Sequence, residues 1–529
     1  MEPSATVTAT ATTPFRRIHH VIAPWVACQP GAPALQDRRG RLTYGELACA
    51  VEAAAQALRQ LGVRPGDRIL LVAENCVAVG VLVLAASALD AWIAVVNARL
   101  SPREIDNFVD HSGARRVLYA TAVSAEARAH AARAGAVPLI WSGIADAGAL
   151  RALGALGELA VAPLNAAAVA EPVADAADAQ VAALIYTSGT SGSPKGVMLT
   201  HASLLHVAAV SRTLRALGPA DRFYGVLPMA HIVGLSSQLI GALSSGASIV
   251  FEERFSPEGL VRALREDGVT ILLGVPAMFA RLVEWCRTHG VQLDHSRLRF
   301  MGASGAPLTP ELKANAEALL GQTLHNGYGL TEMAPAVAQT LMHAPRTDCS
   351  VGQPVPGVAV RIVGLTGQTL DRGAVGELWV RGPNLMKGYY RAPELTHAAI
   401  DADGWFHTGD MARQEGDGAL FIVGRAKELI IRSGFNVYPV EVEQAINSHP
   451  DVVQSAVVGR EVQDNEEVVA FVELAAHATL ATDALAAYLR ERLSPYKLPS
   501  EIRFLPQLPA APTGKILKHE LRKLAAAAR

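Results

Sequence analysis

The chain has 529 residues, 50% of them hydrophobic, and a formal net charge of −2 at pH 7. That length buries large cores over two or more domains, and so even a charge balance gives no overall field for nucleic acid or an anionic membrane surface. Five scattered cysteines (Cys28, Cys49, Cys76, Cys286 and Cys349) form no C-x-x-C pair. Disulfide and zinc frameworks are therefore not expected, and a reducing cytoplasm is.

In chain order, residues 1–13 are rich in Ala and Thr and lack the basic start and apolar core of a signal peptide, so a disordered tail is expected. Thr43-Tyr44-Gly45-Glu46 is a capping box opening a helix that ends near Leu61 and Gly62. After the turn Arg64-Pro65-Gly66-Asp67, residues 68–73 read as a strand. Runs at 77–89, 92–96, 102–110, 117–119 and 125–133 continue the alternation, which predicts an α/β layered sheet with crossover helices. Apolar runs such as 77–86 are too short to cross a bilayer, so no integral membrane association is expected.

Residues 145–178, Ala-rich and weakly periodic, read as a surface connection. A second α/β unit is expected over 184–299, with helices at 204–214 and 257–266. Short β runs with Gly/Pro turns at 352–389 suggest a small barrel-like subdomain. Beyond Arg425, strands at 429–432, 452–458, 468–474 and 502–505 and helices at 439–448 and 483–493 make an α+β module of roughly a hundred residues. The expected fold class is thus α/β. A large N-terminal domain (14–424) of layered sheets with a small β subdomain passes through a junction at 425–428 into a small α+β C-terminal domain (429–529).

The most telling stretch is Tyr186-Thr187-Ser188-Gly189-Thr190-Ser191-Gly192-Ser193-Pro194-Lys195-Gly196. It follows an apolar run, 181–185, that reads as a buried strand, and precedes 197–201, where a helix is expected to start. Its glycines let backbone N–H groups turn inward, and the hydroxyls of Thr187, Ser188, Thr190 and Ser191 and the Lys195 ammonium add donors suited to a polyphosphate. The spacing is not that of a Walker A loop, because Ser193-Pro194 separate Gly192 from Lys195. A second element, His325-Asn326-Gly327-Tyr328-Gly329-Leu330-Thr331-Glu332, offers a ring to stack on a purine, a donor to phosphate and a hard oxygen ligand for Mg²⁺. Gly302-Ala303-Ser304-Gly305-Ala306-Pro307 is a run of small residues that permits close backbone approach. Gly404-Trp405-Phe406-His407-Thr408-Gly409-Asp410, Gly424-Arg425, Pro228-Met229-Ala230-His231-Ile232-Val233-Gly234 and Pro509-Ala510-Ala511-Pro512-Thr513-Gly514-Lys515 complete the set.

Together, in order from Tyr186 to Lys515, these motifs resemble those of the adenylate-forming (AMP-binding) superfamily. Within it they are similar to the acyl- and aryl-CoA synthetase branch, of 4-coumarate–CoA ligase and medium-chain acyl-CoA synthetase type. The resemblance implies ATP, Mg²⁺ and coenzyme A. It implies phosphate binding by Thr187, Ser188, Gly189, Thr190, Ser191, Gly192 and Lys195, and a nucleotide wall of Gly302, Ala303, Ser304, Gly305 and Ala306. Adenine and metal contacts fall to Asn326, Gly327, Tyr328, Gly329, Thr331 and Glu332, with Glu332 as the Mg²⁺ ligand. Asp410 takes the ribose hydroxyls, with Arg425 as a second nucleotide contact. Lys515 is implied as the ammonium that enters the site for adenylation, with Thr187 and Glu332 beside it and His231 near the acyl carboxylate. Family members commonly carry an aromatic residue where Ala230 stands, so the acyl pocket is reshaped here. Lys427 matches the hinge about which the C-terminal domain rotates, carrying Ser433, Gly434 and Phe435 toward a pantetheine channel.

This set suits acid activation. A carboxylate attacking ATP brings two anions together, so a catalyst must neutralise phosphate charge and hold the oxygen in line. A thiolate can then attack the acyl-adenylate and displace AMP. The expected function is an ATP-dependent acid–thiol ligase. The alternatives are a fatty acyl- or aryl-AMP ligase loading a separate carrier, and a non-catalytic nucleotide-binding relative. Candidate acyl-pocket walls are His231, Ile232, Ser236, Ser237, Gly302, Gly327, Met333, Ala334 and Val337. With no Arg or Lys among them, an aromatic or medium-chain aliphatic monocarboxylic acid is expected. The expected partners are the acid, ATP and CoA, with a homodimer as the base-rate assembly and no nucleic acid.

Overall fold

The computed structural model describes residues 15–140, 147–187, 195–293, 297–364, 366–433, 435–462, 465–475, 478–511 and 516–527. The expected tail, the loop residues Ser188–Gly192, Gly434 and Lys515 lie outside them.

Two large mixed sheets carry the fold. One has eight strands, with a parallel centre of Arg116–Tyr119, Arg68–Ala73, Trp92–Asn97 and Val181–Thr187. The other has nine, with a parallel centre running from Pro33–Gln36 through Ser248–Phe251, Arg222–Gly225, Ile271–Gly274 and Phe300–Ala303 to Leu324–Gly329. The helix Val77–Ala88 is apolar on every side and buried along nearly its whole length. Such a helix has no solvent face to offer, so it fits only between layers. Gly80 makes that possible, because a Cβ there would stand 2.7 Å from Leu35 of the second sheet's outer strand. One continuous apolar core joins both sheets, and a second fills the far face of the first.

Many expected elements form where the pattern placed them. The Thr43 box caps a helix at Tyr44–Gln60 with both reciprocal bonds made. Arg68–Ala73, Ala125–Arg133 and Pro257–Glu266 coincide with their expected spans. Four expectations need correction. Residues 197–200 are strand, not helix. Lys195–Thr200 pairs antiparallel with Val181–Thr187, and Thr200 then caps a helix, His201–Leu214. The two strands therefore form an antiparallel pair on either side of residues 188–194. Residues 145–178 are not a surface connection either. They include a helix, Ala147–Gly154, and a short strand, Ala160–Val161, paired on both sides within the first sheet, and they bury Leu153, Leu156 and Leu159. Arg68 of the first sheet and Arg64 in the turn before it tie the rest down, with Arg68 Nη1 donating to Val169 O at 2.7 Å and Arg64 Nη2 to Ala168 O at 2.9 Å.

The second α/β unit does not begin at Leu184. Val181–Thr187 completes the first sheet, and the second recruits its outer strands, Pro33–Gln36 and Arg41–Thr43, from the N-terminal end. Sequence adjacency hides this, since the pairing strands lie some 200 residues apart. The small β unit is a four-stranded antiparallel sheet of Ala359–Val363, Gly376–Arg381, Phe406–Gln414 and Leu420–Arg425. It thus reaches beyond 389, and Gly388–Tyr389 belongs instead to the first large sheet.

After Arg425 come a hairpin, Ile430–Arg432 with Phe435–Val437, and a three-stranded sheet of Val452–Val462, Asn465–Leu474 and Glu501–Phe504. Helices Pro439–Asn447 and Thr482–Arg490 pack on one face over Val457, Val468 and Ala470. A helix the pattern did not predict, Lys518–Ala526, covers the other through Leu521 and Ala525. No helix among the described residues is long and apolar enough to cross a membrane.

Candidate active site

One cleft of about 2190 Å³ runs between the large N-terminal sheets, the small β sheet and the C-terminal module. Its lining contains Thr187, Lys195, Gly302, Ala303, Ser304, Gly305, Ala306, Asn326, Gly327, Tyr328, Gly329, Thr331, Glu332, Asp410, Arg425 and Lys427. Residues 240 positions apart in the chain thus share one surface.

Thr187 and Lys195 face each other at the end of this antiparallel pair. Lys195 Nζ lies 5.5 Å from the centre of the Tyr389 ring, and the Tyr389 hydroxyl donates to Glu332 Oε1 at 2.8 Å. Burial and the Glu332 carboxylate both push the Tyr389 phenol up, so it stays a donor. The β runs expected over 352–389 gave Tyr389 no part in the site, yet its side chain steadies the expected metal ligand. Glu332 sits on a single 3₁₀ turn, Thr331–Met333, whose carbonyls are fixed by Met386 N on Glu332 O (2.8 Å) and Asn384 Nδ2 on Met333 O (2.6 Å).

Gly329 makes that turn possible. A Cβ there would stand 2.1 Å from the Pro335 carbonyl oxygen, which accepts Leu330 N at 3.0 Å. No side chain fits so close an approach.

Asp410 is buried at the end of the cleft, with both oxygens engaged. Tyr328 Oη donates to Oδ2 at 2.5 Å, and Arg425 Nε approaches Oδ1 at 3.1 Å across the antiparallel pair of strands. Burial pulls the Arg425 guanidinium down, but Asp410, Glu428 and Tyr328 outweigh it and hold it above its ordinary value. The Tyr328 phenol is driven up by burial and by the Asp410 charge. Asn326 is buried and spends its amide on the carbonyls of Cys349 and Ser350, at 3.0 and 3.2 Å, so it shapes the wall.

The acyl-pocket expectations divide. His231, Ile232, Ser237, Gly302 and Gly327 line the cleft. Ser236, Met333, Ala334 and Val337 do not; all four are fully buried. In place of Val337, its neighbours Ala336 and Ala338 face the cleft, as strand alternation requires. The segment after His231 is π-helical over Val233–Ile240, a widened turn often found at functional sites. Arg215, just past the helix His201–Leu214, also lines the cleft. It stands 5.5 Å from the Phe300 ring centre and donates through Nε and Nη2 to Gln339 Oε1, at 3.2 and 2.9 Å. A lone arginine at a helix end carried no signal in the sequence.

From the C-terminal module, Ala510, Ala511 and Ile516 border the cleft on either side of residues 512–515. Lys518 bridges Glu428 (3.0 Å) and Glu443 (2.8 Å), joining the last helix to the 425–428 junction; this cluster too was not anticipated. Ser433 and Phe435 are off the cleft. Ser433 N donates to Asn465 Oδ1 at 2.7 Å, and Phe435 stacks on Tyr496 at 4.7 Å.

No cluster of three or more His, Cys, Asp or Glu suits a metal among the described residues. A lone carboxylate such as Glu332, steadied by Tyr389, does fit a Mg²⁺ whose remaining ligands are phosphate oxygens and water.

The architecture and this cleft define an adenylate-forming enzyme. Residues 22–390 match the family model for the AMP-binding enzyme, and residues 441–515 that for the AMP-binding enzyme C-terminal domain. The chain is 34% identical to a feruloyl-CoA synthase of an Amycolatopsis species, covering 93% of this chain and 96% of the relative. It is also 34% identical to a sulfoacetate–CoA ligase of Cupriavidus necator, over 96% and 97%. Among solved structures, ATP-bound MatB from Rhodopseudomonas palustris superposes with a TM-score of 0.81 at 30% identity, covering 96% and 99%. The chain belongs to the AMP-binding enzyme family. Within that family it is an acyl-CoA synthetase, an AMP-forming acid–CoA ligase.

Proposed function

We propose that this ligase works in two half-reactions at the one cleft. The acid's carboxylate attacks the α-phosphorus of ATP and expels pyrophosphate, and the CoA thiolate then attacks the acyl-AMP carbonyl and expels AMP. The observation that carries this reading is the convergence of Thr187, Lys195, Glu332, Asp410 and Arg425 on the cavity that Ala510, Ala511 and Ile516 border. In it, Lys195 and the loop from Thr187 to Gly192 receive the phosphates. Asp410 and Arg425 take the ribose end, and the small residues 302–306 with Tyr328 flank the base. Bound Mg²⁺, held by Glu332, supplies positive charge against the phosphates. Lys515 enters from residues 512–515 for the first step, and His231 lies beside the acyl carboxylate. Preorganised charge of this kind needs no covalent nucleophile.

Residues 14–424 and 429–529 act as two domains about a hinge at 425–428, centred on Lys427. In the present pose Ala510, Ala511 and Ile516 border the cleft while Ser433 and Phe435 lie off it, which suits adenylation. Rotation exchanges them for thioester formation. The acid has an aromatic or aliphatic body, as the range from feruloyl to sulfoacetate among the relatives allows. Cytoplasmic location and a dimer complete the reading. The test is product analysis of the purified enzyme over a panel of aryl and aliphatic acids. The reading expects AMP and pyrophosphate in equal amounts, with AMP release strongly dependent on free CoA. AMP release that ignores CoA would favour carrier loading instead.

A further inference from the structure

Two buried donors on one wall of the cleft have no acceptor. Arg215 Nη1 and Gln339 Nε2 are both closed off from solvent and unpaired among the described residues, although both side chains line the cavity. They are neighbours, because Gln339 Oε1 is the acceptor that Arg215 Nε and Nη2 share. No carboxylate among the described residues offsets the guanidinium, and burial alone pulls it down to about 10. Arg215 as a whole is half-buried, but a guanidinium nitrogen shut off from solvent without a partner is costly, and orphaned buried donors call for an explanation.

The same pair touches the glycines that open the wall. Gly327 is the strand partner of Gln339, and a Cβ on it would stand 3.8 Å from Gln339 Cγ. A Cβ on Gly302 would stand 3.1 Å from Phe300, the ring that Arg215 covers. Glycines there keep side chains off the wall beside the two donors, so that a small shift of Arg215 and Gln339 opens them to a substrate body.

We propose that the acid carries a second oxyanion, a carboxylate or sulfonate, remote from the reacting carboxyl, and that Arg215 Nη1 and Gln339 Nε2 receive one oxygen each. This deepens the proposed ligase reading and rests on it. It also replaces the monocarboxylic expectation, whose ground was the absence of any cation at the pocket. A charged, bidentate acceptor compensates the guanidinium as a neutral hydroxyl does not.

The test compares isosteric acids on one protein sample, so that a partly folded variant does not distort the ratio. The probes are 4-carboxycinnamate, 4-sulfocinnamate, 4-hydroxycinnamate and 4-isopropylcinnamate, with heptanedioate against 7-methyloctanoate as the aliphatic pair. The proposal expects kcat/KM for a carboxylate- or sulfonate-bearing acid to exceed that of its isopropyl isostere by at least about 100-fold. The better of the two anionic aryl acids identifies the oxyanion. In Arg215→Met the preference should collapse to within about threefold or reverse, and Gln339→Leu should weaken it, with KM for ATP little changed. Equal or better turnover of the isopropyl or hydroxy acids by the unmodified enzyme overturns the inference while leaving the ligase reading intact. So does an anionic preference that survives Arg215→Met. If no acid in either series yields AMP, the ligase reading fails and the inference fails with it.

Discussion

Gly329→Ala tests the geometry of the site at its tightest point. The new methyl would stand 2.1 Å from Pro335 O and 2.9 Å from Pro335 C, both backbone atoms that cannot rotate away. Relief requires the strand Leu324–Gly329 and its antiparallel partner Ala336–Gln339 to part at the Gly329–Ala336 pair. The Leu330 N to Pro335 O bond opens with them, at a net cost of about 0.5–1.5 kcal/mol. Overpacking adds about 1–3 kcal/mol. Glu332, three residues on, moves by on the order of 1 Å, and a displacement of that size costs about 100-fold in rate. Acid-dependent ATP–pyrophosphate exchange should therefore fall by about two orders of magnitude, equivalent to about 2.7 kcal/mol of barrier, with a lower thermal midpoint. A Gly329→Ala enzyme that keeps exchange within threefold of the parent, at unchanged midpoint, would refute the placement of the Glu332 turn.

Three further outcomes follow from individual contacts. Tyr389→Phe removes the hydroxyl on Glu332 but leaves the ring beneath Lys195. It should lower kcat about 3- to 10-fold and raise the Mg²⁺ concentration needed for half-maximal rate, while KM for the acid stays put; an unaltered Mg²⁺ dependence contradicts the orienting role. Lys518→Met strips the cation from Glu428 and Glu443. Burial pushes the Glu428 carboxyl up, but Lys518, together with Arg425 and Arg522, more than offsets it and holds it below the usual range, so its stabilisation is present above about pH 4.5 and lost on acidification. The midpoint gap between parent and variant should be widest near pH 7 and shrink below pH 4.5, and a pH-independent gap argues against the ion pair. His201, wholly buried, accepts Ile18 N at Nδ1 (3.2 Å), and burial lowers its pKa to about 3. The unfolded chain binds that proton first, so stability is full above about pH 6.5 and falls toward pH 3 by about 1.4 kcal/mol per unit. His201→Gln should flatten that slope in denaturant titrations by the same amount, and an unchanged slope removes the assignment.

What could be read from the sequence was whatever depends on near neighbours. The Thr43 box, the strand Arg68–Ala73 and the helix Pro257–Glu266 carry their signals within a few residues. The motifs that line the cleft were legible for the same reason, because their glycines, hydroxyls and charges stand close together in the chain. Pairings across the chain were not legible. Whether 197–200 is strand or helix turns on its partner Val181–Thr187 beyond an intervening loop, and the outer strands of the second sheet come from residues 33–43. Ser236, Met333 and Val337 lie beside true cleft residues in the chain yet face the core, a distinction made by strand and helix orientation. Arg215, Tyr389 and Lys518 escaped notice because a single polar residue gains meaning only from what it meets, and each meets a partner between 75 and 124 positions away in Gln339, Glu428 or Glu443, or 57 in the case of Glu332.

The most direct trial of the two-step account is ATP–pyrophosphate exchange driven by the best acid, measured for the parent enzyme and for Lys515→Ala. The account predicts exchange in the parent, a loss of at least about 100-fold in the variant and AMP as the nucleotide product. Full exchange without the Lys515 ammonium, or conversion of ATP to ADP, contradicts it.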